Sequence, residues 1–242
     1  MIPHRQLKLI NDCAIASQKA YSSDNDSPWL FISDSWTDAQ AFVYTNSDGN
    51  IVITGQGTTS LRDWSLDFQI WRTKVDFLNN TKVHAGFLRQ YNAVRDRIHI
   101  EVKRLLDNST PSCRIICTGH SLFGAIASIA AVDCSLLYDI PVDCITFGSP
   151  RVGSRAFVKL FNTSVDTSYR CVHLKDPVTF SPLPVRFKHV RGGVQIDNNT
   201  IGKNKLSLYN CVGCRVTDHD MNVYAACILH IFQKSVALKV IV

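Results

Sequence analysis

The chain has 242 residues, of which 45% are hydrophobic, and a mean hydropathy of +0.01, which is typical of one globular domain with a buried core. No apolar run reaches the roughly 18 residues that a membrane-spanning helix needs, so no integral membrane segment is expected. The net charge of +6 is modest and no nucleic-acid-binding motif accompanies it, so nucleic acid is not expected as a partner.

Hydrophobic periodicity predicts a helix first and then a β-hairpin. Residues 6–21 carry apolar side chains at a helical period. Two apolar runs, 39–45 and 51–54, flank a turn sequence at 46–50 and predict the hairpin. An amphipathic helix is predicted over 86–106. Basic side chains near it predict a solvated helix face, with an approach to anionic lipid as the alternative: Lys82, Arg89, Arg95, Arg97, Lys103 and Arg104.

The second half of the chain predicts strands that alternate with helices. A strand at 113–118, a helix at 122–137 and a strand at 142–147 indicate a right-handed parallel crossover. The remaining predicted elements are a helix at 154–162, a strand at 169–174, a hairpin near 186–196 and a final helix from about 218. This order predicts an α/β fold with a mixed, mostly parallel sheet and helices on both faces. We expect residues 1–242 to form a single domain.

A serine between the predicted strand 113–118 and the helix after it indicates nucleophilic chemistry. The run is Cys117-Thr118-Gly119-His120-Ser121-Leu122-Phe123-Gly124-Ala125. A serine at a sharp strand-to-helix turn is the nucleophile elbow of the α/β-hydrolase fold, and the first helical N–H groups there face a developing oxyanion. The usual pattern has glycine two residues before and two residues after the serine. Gly119 satisfies the first position and Phe123 violates the second.

A serine nucleophile needs a base, and the base needs an acid. Of the eight histidines, His219 is favoured because it lies in a polar turn before the last predicted helix. Asp176 is favoured as the acid because it follows a predicted strand and precedes a proline. Asp218 and Asp220 are ranked below it, since neighbours in a chain rarely face each other, and helix capping explains both. The order serine, aspartate, histidine is the one that α/β-hydrolases use.

An oxyanion hole is expected to combine two backbone N–H groups. The N–H of Leu122, directly after the serine, supplies one. The second is expected from Gly55-Gln56-Gly57-Thr58, where two glycines let the backbone approach a ligand closely. The alternative for this segment is a glycine-rich turn with no catalytic role.

With these residues assembled, the chain resembles the class 3 lipase family of fungal triacylglycerol lipases and plant phospholipase A1-type enzymes. The Gly119-His120-Ser121-Leu122 run resembles the nucleophile block of that family. Other resembling blocks occur in the same order along nearly the whole chain: 55–68, 83–87, 147–153, 176–178, and His219 with Tyr224.

The resemblance implies a role for each matching residue. Ser121 is then the nucleophile, Asp176 the acid and His219 the base, with Thr58 and Leu122 forming the oxyanion hole. A lid at about 59–71 covers the pocket in water and moves aside at a lipid surface. Its apolar face comprises Leu61, Trp64, Leu66, Phe68 and Trp71, although core packing is the alternative explanation for these side chains. The implied substrate is a lipid ester at a membrane or lipid-droplet surface, and no cofactor or metal is required.

Two departures from the family pattern bear on activity. Gln56 replaces the arginine usual at that position, which removes a charge-assisted partner. Phe123 replaces the elbow glycine, which either displaces the elbow or is accommodated with Phe123 lining the acyl pocket. The sequence therefore predicts a serine hydrolase that cleaves lipid esters through an acyl-enzyme on Ser121. The alternative is a weak or inactive lipase-like scaffold that binds lipid or a protein partner.

Nine cysteines and the chain start bear on the compartment. No apolar leader is visible, so reduced thiols and a cytoplasmic or membrane-peripheral location are expected. Five glycosylation-type triplets, beginning at Asn25, Asn79, Asn108, Asn162 and Asn198, leave secretion open. The pair Cys211 and Cys214 could form a disulfide, but no further residue supports a metal site or a redox role.

Overall fold

A mixed sheet organises the chain in the computed structural model, which describes residues 2–22, 29–57, 71–173, 176–197, 201–203 and 215–240. The strands are β1 (Leu30–Asp34), β2 (Ala39–Thr45), β3 (Ile51–Gln56), β4 (Arg72–Val75), β5 (Thr81–His84), β6 (Ile115–His120), β7 (Val142–Phe147), β8 (Thr167–His173), β9 (Gly193–Ile196) and β10 (Ile201–Lys203).

Eight of these strands form the central sheet in the order β1-β2-β3-β6-β7-β8-β9-β10. The β1, β2 and β3 strands pair antiparallel, the run from β3 to β9 is parallel, and β10 returns antiparallel to β9. Strands β4 and β5 form a separate antiparallel ribbon. The carboxyl ends of β6 and β8 therefore meet at one edge of the sheet, which is where ligands bind in open α/β folds.

Helices cover both faces of the sheet because its central strands are apolar on both sides. The helices are α1 (His4–Lys19), α2 (Ala85–Leu106), α3 (Ser121–Leu137), α4 (Arg155–Ser164) and α5 (Met221–Val240). Side chains alternate across each strand, so Ile51 and Ile53 of β3 join the core under α2, α3 and α4, whereas Val52 joins the core under α1 and α5. The result is a three-layer sandwich.

Helix α3 lies deepest in the molecule. Its residues from Ser121 to Cys134 are all buried, because the sheet lies on one side and α2 and α4 on the other. A helix that is apolar all round is stable only when it is covered in this way. The turn that begins at Ser121 therefore starts on the most constrained helix of the fold.

Most of the predicted elements are confirmed, including the 39–54 hairpin, the helix at 86–106 and the β6–α3–β7 crossover. The hairpin predicted near 186–196 is wrong: β9 begins at Gly193 and its antiparallel partner is β10. Residues before β9 are instead tied elsewhere, since Phe187 is fully buried and the Lys188 N–H donates to the Gly153 carbonyl over 2.8 Å. Strand β1 and the β4–β5 ribbon were not predicted.

Several of the basic side chains near α2 have partners within the protein. Buried Asp133 of α3 accepts hydrogen bonds from Arg95 over 2.6 Å and from the hydroxyl of Tyr91 over 2.7 Å. Glu101 pairs with Arg104 over 2.6 Å, and Arg97 donates to the carbonyl of Ser33 over 2.7 Å. Much of this cationic charge is therefore used in holding helices and strands together.

The described ranges contain seven of the nine cysteines. Six cysteines of the described ranges are free and buried: Cys13, Cys113, Cys117, Cys134, Cys144 and Cys171. Cys227 is also buried. Cys211 and Cys214 lie outside those ranges.

Within the part of the chain that the structure covers, no helix has the length and apolarity needed to cross a membrane.

Candidate active site

Ser121 lies at the sharp turn between β6 and α3. Its backbone has φ of +58°, a left-handed conformation that non-glycine residues rarely adopt and that stores strain of order 1–3 kcal/mol. The residue is 3% exposed, and β6 before it is buried throughout. Such a turn aims the hydroxyl away from the sheet edge and the helix N-terminus toward the same space, as predicted from the sequence.

His219 links Ser121 to Asp176 through both ring nitrogens. The Nε2 atom lies 2.7 Å from the Ser121 Oγ, and the Nδ1 atom lies 2.8 Å from Asp176 Oδ2. A carboxylate only accepts hydrogen bonds, so Nδ1 carries a proton and Nε2 is left to accept the serine proton. All three side chains are buried. The structure thus brings together the three residues that the sequence singled out, from the start of α3, the loop after β8 and the turn before α5.

Asp176 divides its two oxygens between separate tasks. Its Oδ1 atom accepts the N–H of Val178 over 2.8 Å and caps the short 3-10 helix Pro177–Phe180. Its Oδ2 atom accepts from His219 and, over 2.6 Å, from the hydroxyl of Tyr224. The carboxylate is consequently fully buried yet fully hydrogen-bonded, which is the condition for keeping a charge in the interior.

The two aspartates beside His219 do not contact its ring. Asp220 accepts the N–H of Asn222 over 2.8 Å at the start of α5, the capping role that the sequence predicted. Asp218 lies 3.8 Å from Nδ1 of His173.

Tyr224 is a site residue whose contacts sequence reasoning did not reveal. The buried hydroxyl donates to Asp176 and accepts the backbone N–H of His173 over 2.9 Å. Burial, and then the Asp176 charge, raises the pKa of Tyr224 well above its usual range, so the hydroxyl stays protonated and keeps donating. The available signal was that Tyr224 lies one turn of α5 after Met221 and one turn before Ile228, on its buried face.

His120 belongs to a directed set of hydrogen bonds behind the serine. Its Nε2 atom lies 2.6 Å from the backbone carbonyl of His219, so Nε2 carries the proton and Nδ1 accepts. Nδ1 therefore receives the hydroxyl proton of Tyr21 over 3.0 Å, and the Tyr21 oxygen accepts the N–H of Gly57 over 3.1 Å. Burial lowers the pKa of His120 well below its usual range and raises that of Tyr21 to about 12. The loop before Thr58 is thereby tied to the main chain of His219.

Gly148, directly after β7, borders the Asp176–His219 pair. Its φ is +58°, and a Cβ at this position would lie 2.7 Å from Asp176 Oδ2 and 3.0 Å from His219 Nδ1 and Cε1. Real Cβ atoms essentially never approach within 3.0 Å of another heavy atom. A side chain here would displace the carboxylate or the ring, so glycine is the residue that the site requires.

Phe123 packs in the core on the sheet side of α3. It is 1% exposed, and two glycines leave the room that its ring occupies. A Cβ at Gly55 would lie 2.1 Å from the ring, and a Cβ at Gly119 would lie 2.7 Å from it. These contacts lend no support to the prediction that Phe123 lines the acyl pocket. They also explain how the elbow accepts a large side chain without losing the contact between Ser121 and His219.

The oxyanion residues divide between described and undescribed parts of the chain. Leu122 is the second residue of α3 and is buried, so its N–H is one of the unpaired donors at the helix start. Thr58 lies outside the described residues. So do the predicted lid residues Leu61, Trp64, Leu66 and Phe68, whereas Trp71 is described and is 69% exposed.

Comparison with known proteins agrees with this geometry. A model of the family Lipase (class 3) matches residues 52–186, which is more than half of the chain and includes Ser121 and Asp176. The chain belongs to the class 3 lipase family. Like other members of the family, it has the α/β-hydrolase fold. The match ends before His219, which the tertiary structure nevertheless places against Ser121 and Asp176.

Curated relatives of this family member include fungal and plant enzymes. It is 31% identical to the secreted mono- and diacylglycerol lipase 1 of Fusarium solani over 76% of this chain and 54% of that protein. It is 31% identical to the chloroplastic phospholipase A(1) DAD1 of Arabidopsis thaliana over 55% of this chain and 34% of that protein. The matched part of the chain spans about half the length of the Fusarium protein and about a third of the Arabidopsis protein.

Solved structures show the same fold. The native propeptide complex of Rhizomucor miehei lipase superposes with a TM-score of 0.78 at 23% identity, over 93% of this chain and 84% of that one. The lipase of Rhizopus microsporus var. chinensis also gives a TM-score of 0.78, at 24% identity, over 93% and 91% of the two chains.

Proposed function

We propose that this protein hydrolyses carboxylic esters of lipids through an acyl-enzyme on Ser121. One observation carries the proposal: His219 bridges the Ser121 hydroxyl and the Asp176 carboxylate with hydrogen bonds of 2.7 and 2.8 Å. The membership of the class 3 lipase family supports the same reaction. The roles of the individual residues follow from their donor and acceptor groups.

In the proposed reaction, the Ser121 Oγ attacks the ester carbonyl while His219 Nε2 takes the hydroxyl proton. Asp176 holds the Nδ1 proton and stabilises the imidazolium that forms. The imidazolium then protonates the leaving alcohol, and the acyl group remains on Ser121. Water, deprotonated by the same Nε2 atom, attacks the acyl-enzyme, and return of the proton to Ser121 releases the carboxylic acid.

We further propose that the N–H groups of Leu122 and Thr58 bind the oxyanion. The position of Leu122 at the N-terminus of α3 supports its role, because the helix dipole there favours negative charge. The hydrogen bond of Gly57 to Tyr21 supports the second part, because it orients the residue before Thr58. Residues of about 59–71, with Leu61, Trp64, Leu66 and Phe68, are proposed as a lid, and residues 1–242 as one catalytic domain.

The proposed substrates are acyl esters of glycerolipids. The names of the relatives support this class, since they include mono- and diacylglycerol lipases and a phospholipase A(1). We propose that the chain meets these substrates at a membrane or lipid-droplet surface. Free buried thiols support a reducing, cytoplasmic location, whereas the word "secreted" in the fungal names supports the opposite.

The alternative, an inactive scaffold, was motivated by Phe123. The contacts of Phe123 with Gly55 and Gly119 weaken that alternative, because the ring occupies space that two neighbouring glycines leave free. The hydrogen bond between His219 and Ser121 is present with Phe123 in place. A scaffold would have no chemical need for this arrangement.

Intact-mass labelling with a fluorophosphonate tests the proposal. The probe reacts with a serine whose base and oxyanion hole are assembled, so we expect one adduct on the native chain and none on Ser121→Ala. Ser128→Ala is the matched control, because Ser128 is a buried serine of the same helix whose hydroxyl donates to the Gly124 carbonyl over 3.0 Å. Labelling of the control together with hydrolysis of a soluble p-nitrophenyl ester supports the enzyme. A folded native chain that forms no adduct would favour the scaffold.

A further inference from the structure

The β4–β5 ribbon presents basic side chains on one face. Arg72 and Lys74 are exposed and share that face because side chains alternate along a strand. Lys82 of β5 is exposed and lies directly opposite Lys74 in the register. The carboxylate within residues 71–84 is Asp76 at the turn, and no ion pair joins it to Arg72, Lys74 or Lys82 in the described structure. Among the residues that the structure describes, none forms an ion pair with Arg72, Lys74 or Lys82.

The pairing of Lys74 with Lys82 is unfavourable within the protein. Directly opposed like charges in an antiparallel pair repel each other and destabilise the ribbon. An anion placed between the two ammonium groups would remove that repulsion. The ribbon is thus better matched to an anionic surface than to water.

Exposed apolar side chains lie beside the basic ribbon. Trp71 is 69% exposed, Leu183 is 68% exposed and Val185 is 86% exposed. Their backbone is firmly held: Phe187 is fully buried, and Arg151 donates to the Pro182 carbonyl over 2.9 Å. The exposure of Leu183 and Val185 therefore belongs to the fold.

These two sets of side chains form one continuous surface. Arg72 donates from Nη1 to the carbonyl of Arg186 over 3.3 Å, which joins β4 to the segment that carries Leu183 and Val185. Gly153 forms isolated antiparallel β-bridges with Val83 of β5 and with Lys188, so the ribbon and the segment before β9 are both paired with the same residue. We define the basic-apolar surface as the exposed residues Trp71, Arg72, Lys74, Lys82, Leu183, Val185 and Arg186.

We propose that the basic-apolar surface docks on an anionic lipid surface. The proposal rests on the proposed function, because it assigns the face by which the enzyme meets its substrate phase. Basic side chains contact the headgroups while Trp71, Leu183 and Val185 enter the boundary between headgroups and acyl chains. Charge complementarity selects anionic lipid, and the exposed apolar groups select a lipid phase over a soluble polyanion.

The position of this surface suits the reaction. Trp71 ends the segment proposed as the lid, and Leu183 follows Asp176 by seven residues through the short 3-10 helix Pro177–Phe180. Docking would place the loop that holds the acid near the lipid surface.

Cosedimentation with vesicles tests the proposal in the Ser121→Ala background, so that binding is measured without hydrolysis. The vesicles are phosphatidylcholine alone or with about one third phosphatidylglycerol. We expect binding to the anionic vesicles that weakens as sodium chloride rises from about 0.05 to 0.5 M. Adding Lys74→Glu and Lys82→Glu is expected to lower the anionic partition coefficient at least about 25-fold, at about fivefold per lysine.

Matched variants separate the surface from net charge. Arg5→Glu with Lys103→Glu changes the net charge equally, and both side chains are exposed on α1 and α2, outside the basic-apolar surface. We expect the fold-decrease of the anionic partition coefficient in this pair to be about ten times smaller than in Lys74→Glu with Lys82→Glu. Leu183→Ser with Val185→Ser is expected to weaken binding to both kinds of vesicle, because it removes apolar area but no charge. Unchanged thermal midpoints of all variants verify folding.

Three results would overturn the proposal: absent binding to anionic vesicles, equal losses in both charge pairs, or unchanged binding after Lys74→Glu with Lys82→Glu. A dimer in sedimentation velocity that the lysine pair abolishes would assign the face to a second copy instead. Failure here is distinct from failure of the proposed function. Vesicle binding does not require Ser121, and labelling of Ser121 by a soluble fluorophosphonate does not require vesicles.

Discussion

Replacement of Gly148 by alanine should disable the site without unfolding the protein. The added methyl group would lie 2.7 Å from Asp176 Oδ2 and 3.0 Å from His219 Nδ1, on atoms that are 2.8 Å apart from each other. It therefore acts on the hydrogen bond that holds the histidine in the tautomer needed for a base. No other atom of the chemistry is altered.

The expected magnitude follows from the distances. Ordinary van der Waals contact begins near 3.4 Å, so the carboxylate oxygen must move by about 0.7 Å or the ring by about 0.4 Å. Misplacement of a catalytic group by about 1 Å can cost on the order of 100-fold in rate. Displacements of this size scale to a fall in kcat of about 6- to 25-fold for a soluble ester, with KM little changed. The left-handed φ adds about 1 kcal/mol of destabilisation.

Gly49→Ala is the matched control. Gly49 has φ of +77° in the turn between β2 and β3, yet a Cβ there meets nothing within 4 Å. It carries the same backbone penalty of about 1 kcal/mol but touches no site residue. Hydrolysis of p-nitrophenyl butyrate and the fluorophosphonate labelling rate should match those of the native chain. Urea unfolding should show similar destabilisation for the two variants.

A folded Gly148→Ala variant that keeps its kcat within about twofold of the native value would contradict this expectation. That result would mean that Asp176 and His219 can both move away from residue 148 and still keep the hydrogen bond between them. An equal loss of activity in Gly49→Ala would assign the effect to general destabilisation instead.

The remaining predictions concern the groups around the triad. Tyr224→Phe removes the 2.6 Å hydrogen bond to Asp176, so kcat should fall about tenfold at unchanged KM, and an unaltered kcat would dismiss that role. Tyr21→Phe removes the donor to His120 and the acceptor of the Gly57 N–H, and a similar fall in fluorophosphonate labelling rate is expected. His120 should also make stability depend on pH. Burial lowers its folded pKa, so below about 6.5 the unfolded chain binds the proton that the folded chain refuses. As the pH decreases below 6.5, the free energy of unfolding of the native chain should therefore fall by about 1.4 kcal/mol per pH unit more than that of His120→Gln. Urea unfolding at a series of pH values measures both slopes, and equal slopes would contradict this role of His120.

Local pattern was sufficient to predict the elements and the serine. Hydrophobic period and turn residues depend on neighbours in the chain, so the β2–β3 hairpin, α2 and the β6–α3–β7 crossover were predicted close to their observed bounds. The short ribbon of β4 and β5 was not. Its residues become a strand pair through long-range contacts, with Ser154 and Gly153 against β5, that no local period reveals.

The sequence by itself determined the chemical groups of this protein and their order: a serine at a strand-to-helix turn, an aspartate after a strand and a histidine before the last helix. Only the tertiary structure decided which partners they have. The 2.8 Å contact between His219 and Asp176 joins residues 43 positions apart, and Tyr224 completes the carboxylate from a buried helix face. Phe123 shows the same division. The sequence marks it as a departure, but its fit depends on Gly55, which lies far from it in the chain and against it in space, because packing is settled between elements.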